Sequence, residues 1–159
     1  MEQVIENLAR RGLPSPLDAP AHEQFAARFN ALPGMVHMGA RLDLTTPPLV
    51  QVHLPRVEPH HRGGMGTEAV NGAVLSGLAD CALGVAGVLQ FKGESAGTVE
   101  MSIKFLRPAL GDSLTAFAIA LKRSDRLVFA ETELYCSGKL CALATGVTSQ
   151  PSRRSGESF

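Results

Sequence analysis

The sequence predicts an α+β protein in which one long helix is held by an antiparallel sheet. Three observations carry this. Val70 to Leu89 is apolar all round, with Asp80 as its one charge, which is the pattern of a helix covered on most sides. After it, four stretches between Val99 and Thr148 alternate with a period of two, and the turns between them are too short for the crossovers that parallel strands need. Before it, two shorter runs of the same period lie between Met35 and Leu54. The order is therefore two strands, one helix and four strands, with helix and sheet segregated.

Residues 1–33 read as a helical arm. Val4, Ile5 and Leu8 share a helical face, Pro14, Pro16 and Pro20 break the chain, and Phe25, Phe29 and Leu32 return at helical spacing before Pro33-Gly34 stops the run. From Met35 the period becomes two: Val36, Met38, Ala40, Leu42 and Leu44 alternate with His37, Gly39, Arg41 and Asp43, which predicts a half-buried strand. Thr45-Thr46-Pro47-Pro48 interrupts it, and Val50, Val52 and Leu54 resume until Pro55, so a hairpin of two short strands is expected. A loop rich in His and Gly spans 56–69. Beyond the helix, Val99, Met101, Ile103 and Phe105 form the next strand up to Arg107-Pro108, and further strands are expected at 113–122, 126–137 and 140–148. The organisation expected is an arm over 1–33, one domain over 34–149 and a loose polar tail over 150–159, without internal repeats.

Fifteen basic and fifteen acidic side chains cancel in 159 residues, so neither a nucleic-acid backbone nor an anionic membrane is expected as a partner. A chain 45% hydrophobic and 19% charged is too apolar for disorder. Cys81, Cys136 and Cys141 form no C-x-x-C, and the start, with Glu2 and Glu6, lacks the basic and apolar regions of a signal peptide. A reduced, cytoplasmic protein is the expectation. Asp80 also argues against a bilayer span, where a central carboxylate costs about 2.5–3.5 kcal/mol.

On a helix, Asp80 shares its face with Ala73, Ser76, Gly77, Gly84 and Gly87, while Val74, Leu75, Leu78, Ala82, Val85 and Leu89 lie opposite. Glycine costs about 1 kcal/mol against alanine inside a helix, so Gly72, Gly77, Gly84 and Gly87 imply close approach by a substrate or a second helix. A carboxylate in so apolar a segment is expected to be hydrogen-bonded or to have a pKa raised by desolvation, towards general-base strength. The structural alternative is a satisfied polar residue at the rim of a helix contact. Asn71-Gly72 falls at the helix start, where unpaired N–H groups and the positive dipole end can stabilise an oxyanion; Asn71 is equally an ordinary N-cap. Thr98 has the parity of Glu100, Ser102 and Lys104 and is expected on the polar face of its strand.

Other signals are weak. There is no G-x-S-x-G, and His22, His37, His53, His60 and His61 all precede the helix, which gives a serine-hydrolase triad little support. His60-His61 has no third ligand at a recognisable spacing, so no metal is expected. Gly63-Gly64-Met65-Gly66 lacks the strand and G-K-[ST] context of a phosphate loop.

Gly66-Thr67, the helix Asn71-Gly72-Ala73-Val74-Leu75-Ser76-Gly77-Leu78-Ala79-Asp80-Cys81-Ala82-Leu83-Gly84, then Phe105-Leu106-Arg107-Pro108 and Gly111-Asp112 together resemble the hotdog-fold acyl-CoA thioesterases. The likeness is to their PaaI-like branch, in the 4-hydroxybenzoyl-CoA thioesterase superfamily, and spans roughly Met35 to Thr148. In that family the helix begins His-Gly-Gly and carries an acid nine positions after the His; Asp80 stands nine after Asn71. The resemblance implies a six-stranded sheet curled around the helix, sheets paired edge to edge in dimers or in tetramers built from them, and sites between chains. It implies Asp80 as the catalytic carboxylate, either general base or nucleophile, Gly72 N–H as the group that polarises the thioester carbonyl, and Thr98 as a residue orienting water. Arg62, Lys104, Arg107 and Arg123 are candidates for the phosphates of coenzyme A, which enters as part of the substrate; no other cofactor is implied.

The sequence departs from the family at three places. Asn71 replaces the His, so proton transfer would rest on Asp80. Ala73 replaces the second Gly, and Glu68 and Ala69 lengthen the loop, leaving Gly63 where relatives often have a polar Asn or Gln. Hydrolysis of an acyl-CoA is the leading reading. An acyl-thioester hydratase or dehydratase using His60 or His61, and a non-catalytic acyl-CoA-binding dimer, are the alternatives. The acyl group, aromatic or aliphatic, is left open, with Met65, Leu83 and Val88 as candidate lining residues.

Overall fold

The apolar run after Val70 forms a single helix, α4 (Gly72–Gln90), and every strand is arranged around it. The computed structural model describes residues 1–63, 68–94 and 96–150. The segment Gly64-Met65-Gly66-Thr67, with the candidate lining residue Met65, and the tail from Pro151 lie outside the described residues. Ahead of α4 come α1 (Glu2–Arg11), α2 (Ala19–Asn30), α3 (Pro33–Met38), β1 (Arg41–Asp43), β2 (Val50–Leu54) and a 3-10 turn at Pro59–His61. After it come β3 (Gly97–Phe105), β4 (Leu114–Arg123), β5 (Leu127–Cys136) and β6 (Lys139–Ser149). All six strands form one antiparallel sheet in the order β1-β2-β4-β5-β6-β3.

The sheet packs on one side of α4. Leu78, Ala82 and Leu83 of the helix are fully buried against Val52, Ala116, Ala118, Leu134 and Ala142 of the strands. Each buried leucine or valine in such a layer contributes about 1.5–3 kcal/mol. Although α4 is long and apolar enough to cross a bilayer by length and composition, half of its most apolar window is buried inside the chain. The other side of the sheet carries α1, whose Leu8 packs with Leu49, Phe117, Ile119 and Tyr135.

Two expectations are corrected. Residues 35–38 are not strand: Pro33 sits in the first turn of α3, where its missing N–H is harmless, and Gly39, at φ +67°, closes it in the left-handed conformation. The alternation survives only from Ala40, Leu42 and Leu44, which are buried, whereas Val36 is 67% exposed. The helix is also not wrapped on all sides. Ala73 and Asp80 are exposed and Ser76, Gly77, Cys81, Gly84 and Val88 partly so, which marks one bare face at helical spacing.

The two sheet edges differ. On β1, the Asn30 side chain accepts from the Leu42 N–H at 2.7 Å and donates to the Leu42 carbonyl at 3.0 Å, taking the place of a neighbouring strand. On β3 nothing described covers the outer edge, and Val99 (64%), Phe105 (52%) and Leu106 (48%) are exposed along it.

Candidate active site

The N-terminal end of α4 is built by Asn71. Its backbone is extended (φ −60°, ψ 137°), its side-chain oxygen accepts the Ala73 N–H at 2.8 Å, and its carbonyl accepts from Val74 and Leu75. Asn71 is thus an N-cap in fact. Among the described residues the Gly72 N–H has no hydrogen-bond partner. It lines a cleft of about 460 Å³ whose walls are Ala69, Val70, Gly72 and Leu75 on one side and Phe105 to Ala109 on the other. A Cβ on Gly72 would meet the Phe105 ring at 3.4 Å, an ordinary contact, so the ring closes over this position without requiring a glycine there. An unpaired N–H at the positive end of a helix is suited to an anion or a polarised carbonyl oxygen.

Asp80 lies two turns further along, about 12 Å up the helix axis. Contrary to the expectation of burial, its side chain is exposed in this chain, because it stands on the face of α4 that the sheet leaves bare. The neighbouring Cys81 thiol is pushed above its ordinary value, first by burial and then by the Asp80 charge, which makes it a poor nucleophile.

Among the glycines of α4, only Gly87 is required by a close contact with described residues. A Cβ at Gly87 would stand 2.4 Å from Thr148 Cβ, at Gly84 3.5 Å from Thr98 Oγ1, and at Gly77 3.4 Å from Met38 Cε. Gly87 is buried under β6 and has left the stripe that contains Asp80.

Thr98 faces the helix, not the polar side of the sheet. The pairing of β3 with β6 shifts register between Thr98 and Glu100, and this bulge turns both Val99 and Glu100 outward while Thr98 points in at Gly84. The correction brings Thr98 to within one helical turn of Asp80 along the sequence of α4. Phe105, at the other end of β3, lies over Gly72. From the sequence, Phe105 is a strand residue and part of the Phe105-Leu106-Arg107-Pro108 motif with no role of its own; its place in the cleft depends on a register between distant segments.

The four candidate cations are dispersed. Arg107 lines the Gly72 cleft. Lys104 is exposed on β3 beside it. Arg62 is engaged by its own chain, donating to the Glu68 carbonyl at 2.9 Å, the Gly111 carbonyl at 3.3 Å and Asp112 Oδ1 at 2.9 Å. Arg123 stacks over Phe91 at 5.4 Å, past the C-terminal end of α4, so within one chain it is far from Gly72. Leu83 is fully buried core and Val88 partly buried. His60 is exposed, while His61 is buried with its Nδ1 accepting the Glu58 N–H at 2.9 Å, an arrangement that leaves the His61 ring unable to act on a substrate. Among the described residues no three metal-binding side chains converge. A larger groove of about 860 Å³ between α2 and β1 contains none of the predicted residues.

Residues 68–142 match the thioesterase superfamily. No curated protein matches the chain. Among solved structures, a thioesterase family protein from Silicibacter pomeroyi is 25% identical, with a TM-score of 0.72 over 80% of this chain and 96% of that one. A thioesterase from Haemophilus influenzae is 16% identical, with a TM-score of 0.75 over 91% of this chain and 99% of that one. The PaaI protein of the E. coli phenylacetic acid degradation operon is 22% identical, with a TM-score of 0.71 over 84% and 95%. The long helix against a six-stranded antiparallel sheet and the likeness to these solved structures show a hotdog fold, and the match that runs from the entrance of α4 into β6 makes residues 68–142 similar to the thioesterase superfamily.

Proposed function

We propose that this protein hydrolyses acyl-CoA thioesters, as in the PaaI-like branch, at two equivalent sites shared between two copies of the chain. One observation carries the reading: among the described residues β3 is the uncovered sheet edge, and its two ends lie at two parts of α4, Thr98 against Gly84, about one helical turn beyond Asp80, and Phe105 over Gly72. Those ends are about 23 Å apart along the strand. A two-fold axis through the middle of β3 sets one copy's Thr98 end beside the other's Phe105 end, and so brings one Asp80 towards the other Gly72.

In such a site the thioester oxygen accepts from the Gly72 N–H, and the charge that develops on it is stabilised by the helix end, an effect worth about 2.7–4 kcal/mol for one good donor. Water attacks the carbonyl carbon and gives its proton to Asp80; the tetrahedral species collapses, the C–S bond breaks, and the proton passes to the departing thiolate. The Asn71 amide cannot take part in that transfer because it does not titrate. Thr98 orients the water, and Arg107 and Lys104 receive the phosphates. The described cysteines are all unpaired, which supports a reducing, cytoplasmic setting.

The test uses two variants and their mixture. Asp80→Asn removes the base. Gly72→Pro removes the N–H while keeping the helix start, since proline is favoured there and Asn71 already has the extended backbone required before it. Each alone is expected to release free thiol from a panel of acyl-CoAs at least about tenfold more slowly than wild type. Denatured and refolded together in equal amounts, about half of the pairs are mixed, each with one intact and one doubly altered site, so about a quarter of wild-type activity returns. No recovery, with mixed pairs demonstrated by mass, would refute the shared site. Binding without turnover, or water addition to an enoyl-CoA without thiol release, would refute hydrolysis.

A further inference from the structure

His61 closes the 3-10 turn ahead of α4: its ring is fixed within the turn, and its main-chain carbonyl joins the turn to the helix. Nδ1 accepts the Glu58 N–H at 2.9 Å. The His61 carbonyl accepts the Asn71 N–H, also at 2.9 Å. The residue is only 3% exposed, and its Nε2 is buried beside the Met38 main chain without a hydrogen bond of acceptable geometry. Because Nδ1 is an acceptor, the neutral ring carries its hydrogen on Nε2. The titratable groups around it are His60 and Glu58 from the turn and His37 from α3, with the His60 ring centroid 4.0 Å away.

A proton on Nδ1 would set donor against donor at Glu58 and break the contact that fixes the ring. Burial, the nearby His60 and, to a lesser extent, His37 favour the neutral ring, against weaker opposition from the Met38 main chain and Glu58. The neutral form is therefore kept down through the ordinary histidine range and lost only as pH falls below it. Asn71, held by the same residue, is the N-cap whose successor, Gly72, lines the cleft with an N–H that has no hydrogen-bond partner among the described residues.

We propose that His61, as the neutral ring, is a positioning residue that holds the Asn71–Gly72 end of α4 against the cleft, and that acid releases this end by protonating Nδ1. The proposal rests on the reading of Gly72 as the carbonyl-binding end. The test is therefore made first without substrate.

In the full chain, amide hydrogen exchange at Glu58 and Asn71 is followed at pH 7.5 and pH 5, corrected for intrinsic rates. His61→Asn keeps an acceptor near the place of Nδ1 but does not titrate, whereas His61→Phe keeps a ring and has no acceptor. Wild type is expected to lose at least about tenfold of its protection at both amides on acidification. His61→Asn should hold protection at both pH values, and His61→Phe should lack it at both. In thiol release, the acid fall in kcat/KM of wild type should be absent from His61→Asn. Nitrogen chemical shifts of the wild-type ring, which need no variant to fold, should report the Nε2–H tautomer at pH 7.5.

The opposite tautomer, unchanged protection in His61→Phe, or an acid loss that persists in His61→Asn would overturn the proposal. If wild type releases thiol from no acyl-CoA, the functional reading falls, while the exchange data still decide whether His61 positions the helix.

Discussion

Gly87→Ala tests the closest contact between α4 and the sheet. The new Cβ would stand 2.4, 2.5 and 2.6 Å from Cβ, Oγ1 and Cγ2 of Thr148, where carbon atoms prefer about 3.5–4.0 Å. Thr148 is 1% exposed and its Cβ moves only with the backbone of β6, which is paired on both sides, so no rotamer change relieves the clash. Overpacking of this kind costs about 1–3 kcal/mol, against about 1 kcal/mol gained from helix propensity. With three atoms inside 3.0 Å the cost falls in the upper part of that range, so a net loss of about 1–2 kcal/mol is expected, which lowers Tm by about 2–8 °C for a chain of this size. Gly77→Ala is the control: its Cβ meets only the flexible end of Met38 at 3.4 Å, so it should leave Tm unchanged or raise it by about 2–4 °C. Thermal and urea denaturation at matched protein concentration measure both. Adding Thr148→Gly to Gly87→Ala removes all three opposing atoms, so the two changes should offset one another in a double-mutant cycle. A Gly87→Ala variant as stable as wild type would refute the argument, since β6 would then have to stand further from the helix.

Stability should also fall in alkali. The Cys141 thiol, buried and donating to the Leu134 carbonyl, is pushed up from its ordinary 9.0 to about 11, chiefly by burial and then by Cys136. The unfolded chain therefore releases this proton first, and stability on the order of 2–3 kcal/mol, complete below pH 9, is lost as pH rises towards 11; denaturation curves for wild type and Cys141→Ala should diverge in slope over that interval. Val99→Lys places a charge on the uncovered edge strand, a device that blocks edge pairing. Light scattering is expected to show wild type as a dimer and this variant as a monomer, with unchanged circular dichroism and thiol release reduced at least about tenfold.

What the sequence disclosed follows from where one face of an element is buried and the other is wet. Strand β6 alternates because the sheet has α4 on one side there, whereas β4, with α4 on one face and α1 on the other, is buried on both over most of its length; the bounds of β4, β5 and β6 were legible to within a few residues. The segment 35–38 misled because a run of four residues fits either period, and it is the backbone, with Pro33 at a helix start and Gly39 in the left-handed region, that decides. The bulge at Val99 was invisible for a related reason: it inserts one residue into the ladder without changing residue type, yet it reverses the side on which Thr98 lies. Of the site, the spacing from Asn71 to Asp80 placed both on one helix correctly. Composition could tell how apolar α4 is but not which face its own sheet covers, and so Asp80 was expected to be buried.

The exposure of Asp80 changes the physical basis of its proposed role. The described residues of its own chain leave its carboxylate open to water. The bare face of α4 is made largely of small residues, Ala73, Ser76, Gly77 and Gly84, which present little apolar area and leave room for close approach. The β3 edge is different, because Val99, Phe105 and Leu106 together with unpaired main-chain groups invite association. On the proposed pairing, the contact that removes this edge is the same one that carries a neighbour's Phe105 end to the Thr98 end and withdraws Asp80 from bulk water. Assembly and activation are then one event: the base gains its strength only when the second copy has also brought the N–H that the substrate oxygen needs.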